Sequence, residues 1–135
     1  MQLFRTGYSL GLVNSASLCL RLGLAVAMIP HGYEKLSHFA EQQHSFLNLL
    51  GLGSTVSLVL AIGAELFCSI GLMLGFLTRL VLIPLLITAL VIVFVAHQGD
   101  IAGEGSAGFL LLIGYMTSLL LGPGQYSLDH LISRY

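Results

Sequence analysis

Residues 80–96 read LVLIPLLITALVIVFVA and hold no charged side chain. A helix crossing the hydrocarbon core of a bilayer takes about 17–25 mostly apolar residues, and this run meets that need. It is not a strand. It does not alternate, and an open sheet in lipid would leave backbone groups unpaired. Working outward, three further runs qualify as spans. Residues 15–33 carry Arg21 and end in Pro30-His31-Gly32. Residues 55–78 carry Glu65 alone among charges, and residues 106–121 stop at Gly122-Pro123-Gly124, a helix terminator. Pro84, near the start of the third span, is a candidate kink.

Composition agrees. Of 135 residues, 56% are hydrophobic and 8% charged, against roughly a quarter charged in soluble domains. The mean hydropathy is +0.95. Too little polar surface exists to coat a soluble globule, so a soluble enzyme, a disordered regulator and a disulfide-stapled domain are excluded. Five Lys+Arg against six Asp+Glu, with no basic run, exclude nucleic acid as a partner. A cleaved signal is not expected, because the apolar stretch after Arg5 is short. The expected fold is all-α: one integral membrane four-helix bundle spanning residues 1–135, with the lipid bilayer as its surroundings.

The connections are unequal. Thr78-Arg79 forms a tight turn between spans two and three, and residues 97–105 join spans three and four. Between spans one and two, residues 36–50 predict a short interfacial helix. Leu36, Phe39, Ala40, Phe46, Leu47 and Leu50 lie on one side of its wheel, with His38, Glu41 and Ser45 opposite. Arg5, Arg79 and Arg134 fall on one side of the membrane and Lys35 on the other. The positive-inside rule then places both termini in the cytoplasm.

Glu65 is the most informative side chain. An ionisable group in mid-span costs roughly 2.5–3.5 kcal/mol on insertion scales, so it is paired or functional. Ser57, Ala61, Cys68 and Ser69 share its face, which therefore points into the bundle. Arg21 is the expected partner, and counting ~1.5 Å per residue leaves roughly 10 Å of depth between them, within reach of an extended arginine. His31 lies roughly 5 Å outward of Glu65 by the same count, and Tyr115 lies near the depth of Arg21. Arg21, His31, Glu65 and Tyr115 thus form one expected intramembrane polar cluster. Two readings stay open: a structural ion pair, or a row that conducts protons or holds a polar head group.

A second expected cluster lies at the outer surface: Glu34, Lys35 and His38, with His97, Asp100 and Glu104 from the other outer loop. His31, Glu34, Lys35 and His38 would share a face if the helix continued, but Gly32 is expected to break it. Their spacing matches no metal-ligand motif, so no metal site is assigned. Cys19 and Cys68 form no CxxC pair and are expected to be unlinked. No nucleophilic triad, phosphate loop or flavin motif is present.

These polar positions coincide with a pattern. LRLGLAVAMIPHGYEKL (20–36), AIGAELFCSIGLMLGFLTRL (61–80) and GPGQYSLDHLI (122–132) resemble the DoxX family of small four-span bacterial membrane proteins. The matching positions are Arg21, His31, Lys35, Glu65, Arg79, Tyr126 and Asp129. The resemblance implies a bacterial inner-membrane protein associated with redox systems, some linked to quinone or thiol oxidation. It does not carry over a catalytic centre. The resulting expectation is an accessory subunit of a membrane redox or respiratory complex, with other membrane subunits as partners and quinone or lipid contact near Arg21 and Glu65. No cofactor is expected in the chain itself. The alternatives are a stand-alone quinone- or lipid-handling oxidoreductase and a membrane-protein assembly factor.

Overall fold

The computed structural model describes residues 6–48 and 51–135. Arg5 and Leu50, used above for orientation and for the interfacial wheel, lie outside them. Among the described residues every regular element is helical. The first span runs Leu10–Ser37, the second Ser54–Leu74 and the third Thr78–Ala96, each long and apolar enough to cross a membrane. The fourth, Ser106–Leu121, is apolar but only 16 residues long, which reaches about 24 Å. Span one packs on spans two and four, and span three packs on the same two neighbours, closing a four-membered ring.

Burial explains the arrangement. On span one the buried residues are Ser17, Arg21, Leu24, Ala25, Met28 and Gly32, a stripe at helical spacing. Large apolar side chains such as Val59, Phe67, Ile83, Phe94 and Leu110 stay exposed, the inversion expected of a lipid-facing bundle. The apolar core draws on all four spans: Leu24 and Met28, Leu72, Leu82 with Leu85 and Ala89, and Tyr115. Most of it sits toward the end that carries Arg79.

Two expectations about the connections are corrected. Gly32 does not break span one, which continues helically to Ser37. Its missing side chain serves close packing instead. A methyl group there would stand 2.8 Å from the Leu66 nitrogen and 2.9 Å from the Glu65 carbonyl carbon. The longer span leaves less chain for the interfacial segment, which shrinks to one turn of helix, Phe39–Gln42. The chain then runs in turns, and the Gln43 carbonyl accepts hydrogen bonds from the Ser54 and Thr55 hydroxyls at 2.8 and 3.0 Å.

The turn between spans two and three is also displaced. It comprises Gly75 to Leu77, with Thr78 already the first residue of span three. Gly75 ends span two in the left-handed region, φ +70°. Its N–H and that of Phe76 close back onto the Leu72 and Gly71 carbonyls, the usual C-terminal signature. Leu77 is also left-handed, φ 49°, a costly conformation for a side chain with a Cβ. Asp129 compensates from far along the chain. Its carboxylate accepts hydrogen bonds from the Leu77 and Thr78 N–H groups at 2.7 and 2.8 Å, capping span three where the helix dipole favours an anion.

Span two is not uniform. Gly63–Cys68 is a π-helical segment in its middle, and Val91–Ala96 forms another at the end of span three. Each inserts extra backbone into a helical turn, and such bulges concentrate at functional sites.

Candidate functional site

Glu65 sits inside the first π-helical segment with its side chain 4% exposed. Its partner is Lys35. The Lys35 ammonium donates to Glu65 Oε2 at 2.7 Å, with the lysine side chain 22% exposed. The expected Arg21–Glu65 pair is therefore corrected. The cause is the continuity of span one through Gly32, which packs directly on Glu65 and Leu66 and sets Lys35 within one turn of that contact.

Arg21 is fully buried and serves backbone. Nη1 donates to the Leu72 and Met73 carbonyls at 3.2 and 3.3 Å, and Nη2 to the Tyr126 carbonyl at 2.6 Å. Those carbonyls belong to the last turn of span two and to the C-terminal segment. The guanidinium thus ties three parts of the chain together, with its fork matched to carbonyls in place of a carboxylate. The C-terminal segment is held at further points: Ser17 Oγ donates to the Gly122 carbonyl, and the Asp129 N–H to the Gly75 carbonyl, at 3.0 and 2.9 Å.

Asp129 lies outside the spans. Burial pushes its carboxyl upward, but the Thr78 N–H and hydroxyl, the Leu77 N–H and the charge of Arg21 outweigh that and leave it below the ordinary range. Neither residue was part of an expected pair with the other. The adjacent Ser127, whose Oγ accepts the His130 N–H, announces a helix start in the sequence, but nothing there says which distant turn Asp129 caps.

The ion pair borders a cavity of about 550 Å³, within the size range of small-ligand sites. Its walls are mostly apolar: Met28, Leu60, Ala61, Ala64, Ile87, Val91 and Leu111 contribute. Polar groups enter at Lys35, Glu65, His31, His97, Thr88 and Glu104. Phe46 and Leu47, from the segment after the one-turn helix, also line it. Both π-helical segments and Pro84 border the space. The main packing of spans two and three joins Gly63–Leu74 to Thr78–Leu90, and Leu60 and Ala61 of span two face the cavity with Ile87 and Val91 of span three.

The cavity merges half of each expected cluster. His31 and Glu65 come from the intramembrane set, and Lys35, His97 and Glu104 from the outer set. Arg21 and Tyr115 do not line it; Tyr115 is fully buried in the core. Glu34 and His38 are exposed on the extended helix, where the His38 ring meets the Glu34 carbonyl at 3.0 Å. Asp100 shapes its own loop by accepting the Gly103 N–H at 3.0 Å. The His97 ring contacts the Ile92 carbonyl at 2.8 Å, and its N–H donates to the same carbonyl, which closes the second π turn. Among the described residues no three His, Cys, Asp or Glu side chains stand together as metal ligands, and both cysteines are free. Phe46, Leu47, Thr88 and Val91 are wall residues that sequence reasoning missed, because hydropathy separates apolar from polar but not cavity from core.

With the site described, comparisons with known proteins add one match. The DoxX family model matches residues 16–98, more than half of the chain. That region contains both partners of the ion pair and most of the cavity wall. No curated protein and no solved structure matches.

Proposed function

The chain belongs to the DoxX family, and from that premise we propose that it holds an amphiphilic ligand, of the quinone or lipid class, as an accessory subunit of a membrane redox complex. The observation that carries the reading is the cavity: mostly apolar walls with the Lys35–Glu65 pair among them. Such a space suits a molecule with an apolar body and a small hydrogen-bonding head. The Lys35 ammonium can donate to a head-group carbonyl or phosphate oxygen, and His31 and His97 add ring nitrogens. Arg21 is not part of this ligand site, because it does not line the cavity and its Nη groups bond backbone carbonyls. The redox association is what the family resemblance implies. The setting proposed is the bacterial inner membrane with both termini cytoplasmic.

The test is purification in mild detergent, organic extraction and mass spectrometry, which separates quinones from phospholipids. Wild-type protein should retain one ligand class at near-stoichiometric amount. Ala61→Phe, which fills the cavity, should lose it while keeping its unfolding temperature within a few degrees. Equal retention by both proteins overturns the cavity assignment. A chain that migrates alone from native membranes, without other subunits, overturns the accessory role.

A further inference from the structure

Four buried side-chain atoms have no hydrogen-bond partner among the described residues: Arg21 Nε, Ser69 Oγ, Tyr115 Oη and Ser118 Oγ. All four residues are fully buried. They come from spans one, two and four, two of them from span four. The Thr78 hydroxyl of span three, equally buried, meets the Asp129 carboxylate. Buried polar groups are otherwise almost always satisfied, so four of them in one bundle call for a common partner.

Their depths are ordered. Arg21 reaches the Leu72 and Met73 carbonyls at the Arg79 end. Ser17, one turn before Arg21, bonds to Gly122, and Ser118 lies one turn before Gly122; Arg21 and Ser118 therefore share a level. Gly114 packs against Leu24, which sets Tyr115 one turn deeper. Side chains lean toward the N-terminus of their helix, and span four begins at the His31 end, so the Tyr115 hydroxyl leans toward Glu65. Ser69 lies four residues from Glu65 on the same buried face. Thr78 starts span three beside Asp129.

We propose that these four groups hold a file of internal water molecules, and that the file connects Asp129, with the Thr78 hydroxyl on it, at the Arg79 end to Glu65 at the cavity as a path for protons. Water suits the site because each molecule takes two to four polar partners, and the Ser69, Tyr115 and Ser118 hydroxyls both donate and accept, whereas the Arg21 Nε–H only donates, anchoring one water without passing a proton itself. The step balances. A proton enters the file at the Asp129 end, each hydroxyl or water releases one proton as it accepts another, and the Glu65 carboxylate takes up the last. Glu65 bonds Lys35 and shares the cavity wall with His31 on span one and with His97 and Glu104 across the space. A proton bound at Glu65 therefore releases Lys35 toward a ligand head group. The use of the path rests on the ligand reading; its existence does not.

Two measurements in lipid nanodiscs test it. Hydroxyl-radical footprinting with mass spectrometry reports water in contact with side chains. Tyr115 should be oxidised despite its burial, and the signal should fall several-fold in the Ser69→Ala/Ser118→Ala double variant at unchanged thermal stability. Time-resolved infrared spectroscopy after a pH jump then follows the Glu65 carboxyl band, identified by its loss in Glu65→Gln. Tyr115→Phe removes only a hydroxyl without a protein partner, so it should fold, and Glu65 should gain its proton several-fold more slowly. Unoxidised Tyr115 in folded wild-type protein, or an unchanged protonation rate in Tyr115→Phe, overturns the proposal. A retained ligand with unoxidised Tyr115 keeps the ligand reading and removes the file; oxidised Tyr115 without a retained ligand does the reverse.

Discussion

A carboxylate held at 4% exposure needs a counter-charge, and Lys35 supplies it while keeping 22% of its own side chain accessible. That asymmetry sets an ordered expectation. Lys35→Met leaves Glu65 buried without its partner, the situation that costs about 3–5 kcal/mol. Glu65→Gln leaves a lysine that can turn its head toward water, so the loss should be nearer about 1 kcal/mol, as for exposed pairs. The double variant should recover much of the Lys35→Met loss. Unfolding temperatures in detergent for the wild type, both singles and the double decide this; equal losses in the two singles would contradict it. Arg21 belongs to a different network. Removing its guanidinium takes a donor from the Met73 and Tyr126 carbonyls, while the Leu72 carbonyl keeps the Gly75 N–H; each lost partner is worth about 1–3 kcal/mol when buried. Arg21→Gln and Glu65→Gln should therefore be additive within about 0.5 kcal/mol. A large coupling energy between them would restore the pairing that depth counting suggests.

At the scale of elements, the spans were legible and the places where they touch were not. Residues 80–96 announced the third span because lipid accepts apolar side chains on every face, and residues 106–121 coincide with a helix, Ser106–Leu121, that is apolar but shorter than the three of spanning length. Gly32 was misread as a breaker. In water a mid-helix glycine is a weak point, but between two membrane helices it is a contact surface, and only the partner backbone tells the cases apart. Lys35 was misplaced by the same error, since its reach to Glu65 depends on the helix continuing. The π-helical segments left no pattern to read: GAELFC and VIVFVA fit ordinary helix equally well. The glycine contacts are testable. Gly32→Ala would place a methyl 2.8 Å from span two, forcing the helices apart and weakening the Lys35–Glu65 contact. Gly75→Ala faces a left-handed backbone and a methyl 2.6 Å from Arg21 Nη1, against Ser127 as well. Both should destabilise, with Gly75→Ala the worse, by about 3 kcal/mol or more. Circular dichroism melts of the two variants in the same detergent rank them, and a tolerated Gly75→Ala would contradict the docking of the C-terminal segment.

Across the whole molecule, the C-terminal segment fastens the Arg79 end while the opposite end opens into the cavity. Asp129 makes that fastening sensitive to acid. Its carboxyl lies below the ordinary range in the fold, so its contribution is complete above the unfolded value of about 3.9 and disappears as pH falls through the folded value. Thermal stability should thus hold steady near neutral pH and drop below about pH 4, and Asp129→Asn should flatten that drop. The proposed orientation puts the Arg79 end, where Arg79 is exposed, in the cytoplasm. In a Cys19→Ser/Cys68→Ser background, Gln42→Cys and Ala102→Cys should react with an impermeant maleimide in intact spheroplasts. Ser133→Cys, beside Arg134, should react only after the membrane is opened. The reverse pattern would invert the orientation, and would place the Asp129 mouth of the proposed water file outside the cell, where the same hydroxyls would deliver protons from the opposite compartment.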